Sequence, residues 1–478
     1  MAFQQLDSLA YMDLSAFWSR VAQLMAPSYK KGEQQAKEQD FTNEQRQQLM
    51  HELNSIFSKT MDEMKRFGPR DLTQTGLAFA KLANVVGYSV GRKHTKDVLH
   101  LSLHDILVGQ DSQRQLIIFQ LIANSSSRIL DKFDARCLSN LAYAIAIVGS
   151  VPRLKEDGRS LFAHIAEKSI PLLELGKFDP QGISNMVWSF EKVRESNPRL
   201  FGMVANAILE FDDLRSFKPQ EISNIVLAFA KAGESNPDLY KKLADHIISL
   251  DNLHLFKPQA LSNTIWAFAK AEESHPVLLK KVADHVLSLY NLDSFRPQAL
   301  SNTVWAFATA EEPNPMLFRK VADHIVSLNN LQLFKPQELS NAVWAFAKAD
   351  ESNPRLFKKV ADHIVALDNL QTFNHQAITN IVWAYAKAGE AQDHLFEKMA
   401  DHILSLDNLE AFNSKNCSQI LWGYATADII NHDLFEKVAG HATSHFDYEN
   451  LDTRSQVNLF WALEKAKKAS MKAIKKKS

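Results

Sequence analysis

Asparagine recurs at Asn185, Asn224, Asn263, Asn302, Asn341 and Asn380, always 39 residues apart, and Gln419 and Asn458 continue the row. Lysine recurs in the same frame at Lys192, Lys231, Lys270, Lys348, Lys387 and Lys465, with Thr309 and Thr426 in its place twice. Amides at a fixed interval can pair with the base edges or peptide groups of a regular polymer, and ammonium groups can meet its phosphates. The plainer reading has each Asn bonded between repeats and each Lys solvated. Two positions around the constant Asn vary. Before it stand Gly182, Glu221, Ala260, Ala299, Glu338 and Ala377; directly after it stand Met186, Ile225, Thr264, Thr303, Ala342 and Ile381. Constant groups that position a ligand and variable groups that discriminate are what a sequence-selective reader needs. The expected contact set is the Asn row from Asn185 to Asn380 with Lys231, Lys270, Lys348 and Lys387, tuned by Glu221, Ala260, Ala299, Glu338, Thr264, Thr303 and Ala342.

Histidine forms a third row, His246, His285, His324, His363, His402 and His441. One imidazole per repeat cannot converge on an ion that needs three or four donors, as zinc does. A hydrogen bond between repeats is the expected role. Cys137 and Cys417 are the only cysteines, too few for a disulfide framework and lacking CxxC spacing. Cys417 stands where other repeats carry Leu or Ile, which predicts a buried, inert thiol. There is no nucleophile elbow, P-loop or GxGxxG, and an active site is one constellation rather than one residue copied along a chain. The sequence reads as non-enzymatic, with no metal and no cofactor.

Groups repeated in this way need a scaffold of the same period. Trp188, Trp266, Trp305, Trp344, Trp383, Trp422 and Trp461 are spaced by 39 residues, the first gap being two periods with Leu227 between. Such a period signals stacked supersecondary units. Blocks open at Phe178, Phe217, Phe256, Phe295, Phe334, Phe373 and Phe412, with Leu451 in the eighth place. Pro180, Pro219, Pro258, Pro297 and Pro336 mark the start of one helix, and Pro198, Pro237, Pro276, Pro315 and Pro354 the start of a second, because proline suits the first helical position. Asn197, Asn236, Asn314 and Asn353 precede the second series as N-caps. The fold class is therefore all-α, an α-solenoid of helical hairpins. On a helical wheel, Leu300, Val304, Phe307 and Ala308 form the core stripe of the first helix, with Trp305 at its flank touching the next repeat. Ala299, Asn302, Thr303 and Ala306 are expected to face solvent or a ligand.

The expected organisation has a helical segment and polar linker at 1–66, with an amphipathic helix over 1–26. Degenerate repeats follow at 67–177, then eight repeats at 178–465, the last a half-unit. A basic tail at 466–478 holds six lysines. FGPRDLTQTGLAFAK from Phe67 and FDARCLSNLAYAIA from Phe133 are weak copies; residues 82–132 give no register. Hydrophobic residues at 46% and charged residues at 23% suit a folded globular chain. A net charge of −1 excludes a uniformly basic nucleic-acid sponge. No apolar run approaches the ~20 residues of a membrane span. Asp7 and Asp13 count against a transit peptide. A reducing intracellular, cytoplasmic location and a monomer are expected.

The string PQ-x-[LI]-S-N-x-[VI]-W-A-F-A-K followed by a second helix resembles the octotricopeptide repeat family, clearly from Phe178 to Lys465 and weakly from Phe67 to Gly149. The resemblance implies an α-solenoid binding single-stranded RNA along its first helices. Many members carry a C-terminal RAP domain; this chain ends at the basic tail, so RNA cleavage is not carried over. The charge from Phe178 to Asn450 is −10, and RNA affinity depends on neutralised phosphates. The repeats between Phe256 and Thr372 are neutral, so binding is expected to centre there. The alternative is a protein-interaction scaffold whose Asn row pairs with an extended basic peptide. In an intracellular bacterium it would be a host-directed effector.

Overall fold

The computed structural model describes residues 11–25, 43–90, 107, 113–149, 151–445 and 452–477. These are helices and turns, and among them the nearest thing to a strand is an isolated bridge between Arg153 and Ser160. The chain forms two compact units, Met1–Leu243 and Ala244–Ser478. In the second, first helices Pro258–Lys270, Pro297–Thr309, Pro336–Lys348, His375–Ala388 and Ser414–Thr426 alternate with second helices Pro276–Ser288, Pro315–Ser327, Pro354–Val365, Asp393–Ser405 and His432–His445. Thr453–Lys477 closes the series as one long helix, so the basic residues expected as a tail continue it.

The first unit holds more hairpins than the sequence revealed. Tyr11–Met25, Pro69–Val90, Ala135–Val148, Pro180–Lys192 and Pro219–Ala232 pack one on the next as first helices. Asn43–Glu63, Gln113–Ser127, Leu161–Glu174 and Pro198–Leu209 accompany them. The expected linker therefore already contains helix from Asn43, and Trp18, fully buried, donates its indole N–H to Thr60 Oγ1 at 2.9 Å. Residues 1–10, where the start of an amphipathic helix was expected, lie outside the described residues.

Local chemistry sets the ends of the helices. Asn314 and Asn353 accept from Leu317 N and Leu356 N at 3.0 Å each, which satisfies an orphan donor of the first turn. First helices end in a left-handed residue, Gly233 or Gly389 in two repeats but Arg194, Glu272, Glu311, Asp350 and Asp428 in others. A side chain in that region costs about 1–2 kcal/mol. The turn is kept because the next N–H reaches back into the helix, as Glu351 N does to Phe346 O at 3.0 Å.

Successive first helices make the closest contacts, and their small residues permit it. Gly423 shows how little room there is: a Cβ there would lie 2.6 Å from Val382 Cγ1. Second helices lock to the following first helix through edge-on rings, Phe318 to Phe346, Phe357 to Tyr385 and Phe396 to Tyr424, with centroids 4.9–5.0 Å apart. Tyr385 and Tyr424 also donate to the carbonyls of Phe357 and Phe396 at 2.7 and 2.6 Å. Second helices are joined by a lysine staple. Lys281, Lys320, Lys359, Lys398 and Lys437 each reach two carbonyls at the C-terminal end of the preceding second helix, such as Leu287 O at 2.9 Å and Leu289 O for Lys320. An ammonium at a helix C-terminus satisfies orphan carbonyls and complements the dipole.

Candidate functional site

The face that each first helix leaves half-open follows from these contacts. Because its neighbours cover it on two sides, the buried arc is wider than a single core stripe. What remains is a strip at intervals of four, three and four residues, Gln337, Asn341, Trp344 and Lys348 in one repeat; in the repeat before it Gln298, Trp305 and Thr309 keep the same frame, while Asn302 is buried.

Several expected contacts are corrected by this packing. Ala299 and Ala306 are fully buried, and Ala260, Thr264, Thr303 and Ala342 are nearly so. Small side chains stand there because the helices approach closely. Thr264 and Thr303 spend their hydroxyls on the carbonyls four residues back, at 2.8 and 2.7 Å. Glu221 and Glu338 are not presented to a ligand either. Their carboxylates accept from Lys218 N and Lys335 N at 2.8 Å and cap their own helices.

The Asn row lies along the strip, half-buried except at Asn302, where the expectation of an outward side chain is corrected: the neighbouring first helices cover it. In the second unit Asn302 Nδ2 donates to Asn263 Oδ1 at 3.2 Å, a bond between repeats. Gln259 donates to Asn263 Oδ1 at 2.9 Å and Gln376 to Asn380 Oδ1 at 2.7 Å, while Asn341 is half-buried. In the first unit Gln220 does the same to Asn224 at 2.9 Å, and Asn185 is half-buried. These bonds occupy the amide oxygens of Asn224, Asn263 and Asn380, which are half-buried.

The Lys row lies at the far end of the strip, partnered by the left-handed carboxylates. Lys348 pairs with Glu311 at 2.9 Å, Lys387 with Asp350 at 2.7 Å and Lys465 with Asp428 at 2.5 Å. Lys231 pairs with Glu191 at 3.8 Å in the first unit. The Lys348 ammonium holds the Glu311 carboxyl below the usual range through its hydrogen bond and charge. Lys270 is exposed and makes no ion pair among the described residues.

Between the two rows runs the element that sequence reasoning read as packing. Trp266, Trp305, Trp344, Trp383 and Trp422 form a ladder with centroids 5.6, 6.2, 6.2 and 6.4 Å apart and planes inclined by about 30°. They bind repeat to repeat, yet most are only half-buried. Their indole N–H groups find no acceptor among the described residues, and none is sealed from solvent.

The histidines sit on the second helices, half-buried. Burial lowers the pKa of His285, His324, His363 and His402, helped at His285 by His254 and opposed at His324 by Asp293. His441 contacts Phe412 O at 3.2 Å within its own repeat, whereas His324 Nδ1 lies 3.9 Å from Asp293, and the His285 ring 5.4 Å from that of His254, of the preceding repeats. Cys417 is fully buried, and burial pushes its thiol up to about 12. Among the described residues no helix is long and apolar enough to cross a membrane, and no group of His, Cys, Asp and Glu is arranged to hold a metal.

Residues 249–442 match the family model of the RNA-editing substrate-binding complex 6 protein. No curated protein matches the sequence. Among solved structures the chain is similar to one described as a homology model of the full-length AP-3 complex in an intermediate open conformation. Identity is 14%, 97% of this chain and 80% of that chain are covered, and the TM-score is 0.24. It is also similar to a circular tandem repeat protein with novel repeat topology, at 11% identity, with 98% and 99% covered and a TM-score of 0.21. The family match thus spans the five-membered Trp ladder of the second unit from Trp266 to Trp422.

Proposed function

We propose that residues 244–478 bind single-stranded RNA along the half-open strip of their first helices, and that the protein is a non-enzymatic scaffold for that strand. The observation that carries this reading is the recurrence of hydrogen-bond donors along the strip, above all the indole N–H groups of the Trp ladder, unpaired among the described residues. These indoles, half-buried Asn amides and ammonium groups supply donors in every repeat, beside the acceptor oxygens of the Gln side chains. A strand with phosphate and ribose oxygens at every residue is the matching acceptor. Ring faces in the Trp ladder are shared between neighbours, so contact falls to the indole edges. Exposed ion pairs such as Lys348–Glu311 are screened by solvent and weak, and a phosphate can displace the carboxylate. Lys257, Arg296 and Lys335 add exposed cations in the neutral middle repeats. The match to a family named for RNA-editing substrate binding supports the same ligand class.

The test uses protein in which the six lysines of residues 466–478 are changed to Gln, so that nonspecific attraction is removed. Changing Lys270, Lys348 and Lys387 to Glu in that background should abolish binding of a fluorescent oligoribonucleotide without altering the melt. Single changes to Ala should each lower the salt slope by about 0.7, the value per single-strand phosphate contact. Undiminished RNA binding by the triple Glu variant refutes the reading. A gain in affinity for a basic peptide would favour the peptide scaffold.

A further inference from the structure

A cavity lies in the first unit, outside the family match. Tyr11–Met25, Pro69–Val90 and Ala135–Val148 line a cavity of about 710 Å³, within the ~300–1,000 Å³ range of small-ligand pockets. Its residues follow the frame of the downstream strip with one departure. Gln74 and Asn140 fall in the Asn row, Leu77 in the Trp row and Lys81 in the Lys row. Where the later repeats carry Gln259, Gln298, Gln337 and Gln376, these two carry Arg70 and Arg136.

Both arginines are exposed and make no ion pair among the described residues. The carboxylates beside them are hydrogen-bonded elsewhere: Asp134, which also lines the cavity, accepts from Cys137 N at 2.7 Å, and Asp71 from Gly68 N at 3.3 Å and from the Ser15 hydroxyl at 3.2 Å. First helices pack roughly 8–10 Å apart, so two guanidinium forks at equivalent positions flank one small group. A terminal phosphate fits it. It carries nearly two negative charges and three acceptor oxygens, and arginine forks bind such oxygens in pairs. One turn further on, Gln74 and Asn140 offer amides to a base edge, and Leu77 offers an apolar surface to its ring. Lys81 is three turns from Arg70, roughly 16 Å along the helix, beyond the reach of one nucleotide. We propose that this cavity binds a nucleotide by its terminal phosphate, held between Arg70 and Arg136. The ligand is a free mononucleotide or the phosphorylated end of an RNA strand, which share that chemistry. The site stands apart from the strip of residues 244–478 and survives if RNA binding there fails.

The experiment uses the full chain and the Arg70→Gln/Arg136→Gln variant, which takes the residue of the downstream repeats and so keeps the helices. Adenosine and uridine 5′-monophosphate are titrated calorimetrically. One short oligoribonucleotide is titrated in three forms, 5′-phosphorylated, 3′-phosphorylated and unphosphorylated. The expected result is binding of a mononucleotide, or binding of a phosphorylated oligonucleotide about tenfold or more tighter than its unphosphorylated form. The arginine variant should lose that preference, while the Lys270, Lys348 and Lys387 variant should keep it. Mononucleotide binding without discrimination between oligonucleotides assigns a free nucleotide; discrimination between oligonucleotides assigns a strand end. Absence of phosphate-dependent binding to any of these probes overturns the proposal. So does an arginine variant that binds like the native protein, or capture of a phosphoserine peptide in place of the nucleotides.

Discussion

Single side chains in this protein divide into those that join repeats and those that face outward, and adjacent lysines fall on opposite sides of that line. Lys359 reaches Val326 O at 2.7 Å and also Leu328 O, closing the end of the preceding second helix. Its neighbour Lys358 makes only an exposed pair with Asp362 one turn on. Lys359→Ala strands carbonyls at a helix terminus and should cost about 1.5–3 kcal/mol, the value of a hydrogen bond to a charged group. Lys358→Ala should cost under about 0.5 kcal/mol. Urea melts of the two variants check the contrast, and equal losses would mean that the staple does not join the repeats. Sequence alone does not separate them, because both read as solvated charges on a second helix. The Asn caps were legible because an Asn before Pro at a helix start has few other uses. Glu221 and Glu338 were misread because a glutamate in a first turn looks the same whether it caps or recognises.

At the scale of the element, the period was legible and the faces were not. Phe, Pro and Trp recurring in one frame leave a helical hairpin as the natural unit, and the helix bounds follow the prolines. A wheel assumes one buried stripe, however, and a first helix here is covered by both neighbours. Ala299 and Thr303 therefore sit inside, and the strip narrows to Gln, Asn, Trp and Lys. The helices Asn43–Glu63 and Gln113–Ser127 had no register in the sequence because the block spacing changes upstream of Phe178, and the copies from Phe67 and Phe133 are weak because the Trp gives way to Leu77 and Tyr143. The second helices also carry a pH dependence. His285, His324, His363 and His402 have pKa values lowered in the folded state, chiefly by burial. The unfolded chain, with imidazoles near 6.5, then binds more protons than the folded one. Stability is fully present above about pH 6.5 and falls as pH drops through the lowered values. Melts at descending pH should show the midpoint dropping below about 6.5, well before carboxylates titrate. A midpoint flat to pH 5 would contradict the burial of these rings.

At the scale of the molecule, contacts run mainly from each hairpin to its neighbours, so whole repeats are interchangeable parts. Deleting the 39 residues Phe295–Leu333 sets Phe334 after Ser294 in an unbroken frame and brings Lys359 to the carbonyls that Lys320 had served. That protein should keep a cooperative melt and its helical signal. Deleting only Phe295–Asn314 removes a first helix and strands its partner, and should unfold the second unit. Circular dichroism of the two deletions checks this, and a shared collapse would refute the modular account. The central claim concerns the strip rather than the stack, and crosslinking tests it most directly. RNA substituted with 4-thiouridine is irradiated with the protein whose terminal lysines are changed to Gln, and the crosslinked peptides are mapped by mass spectrometry. The account predicts crosslinks on Pro258–Lys270, Pro297–Thr309, Pro336–Lys348 and His375–Ala388, at the Trp, Asn, Gln and Lys positions of the strip. Crosslinks confined to second helices such as Pro315–Ser327 and Pro354–Val365 would contradict it.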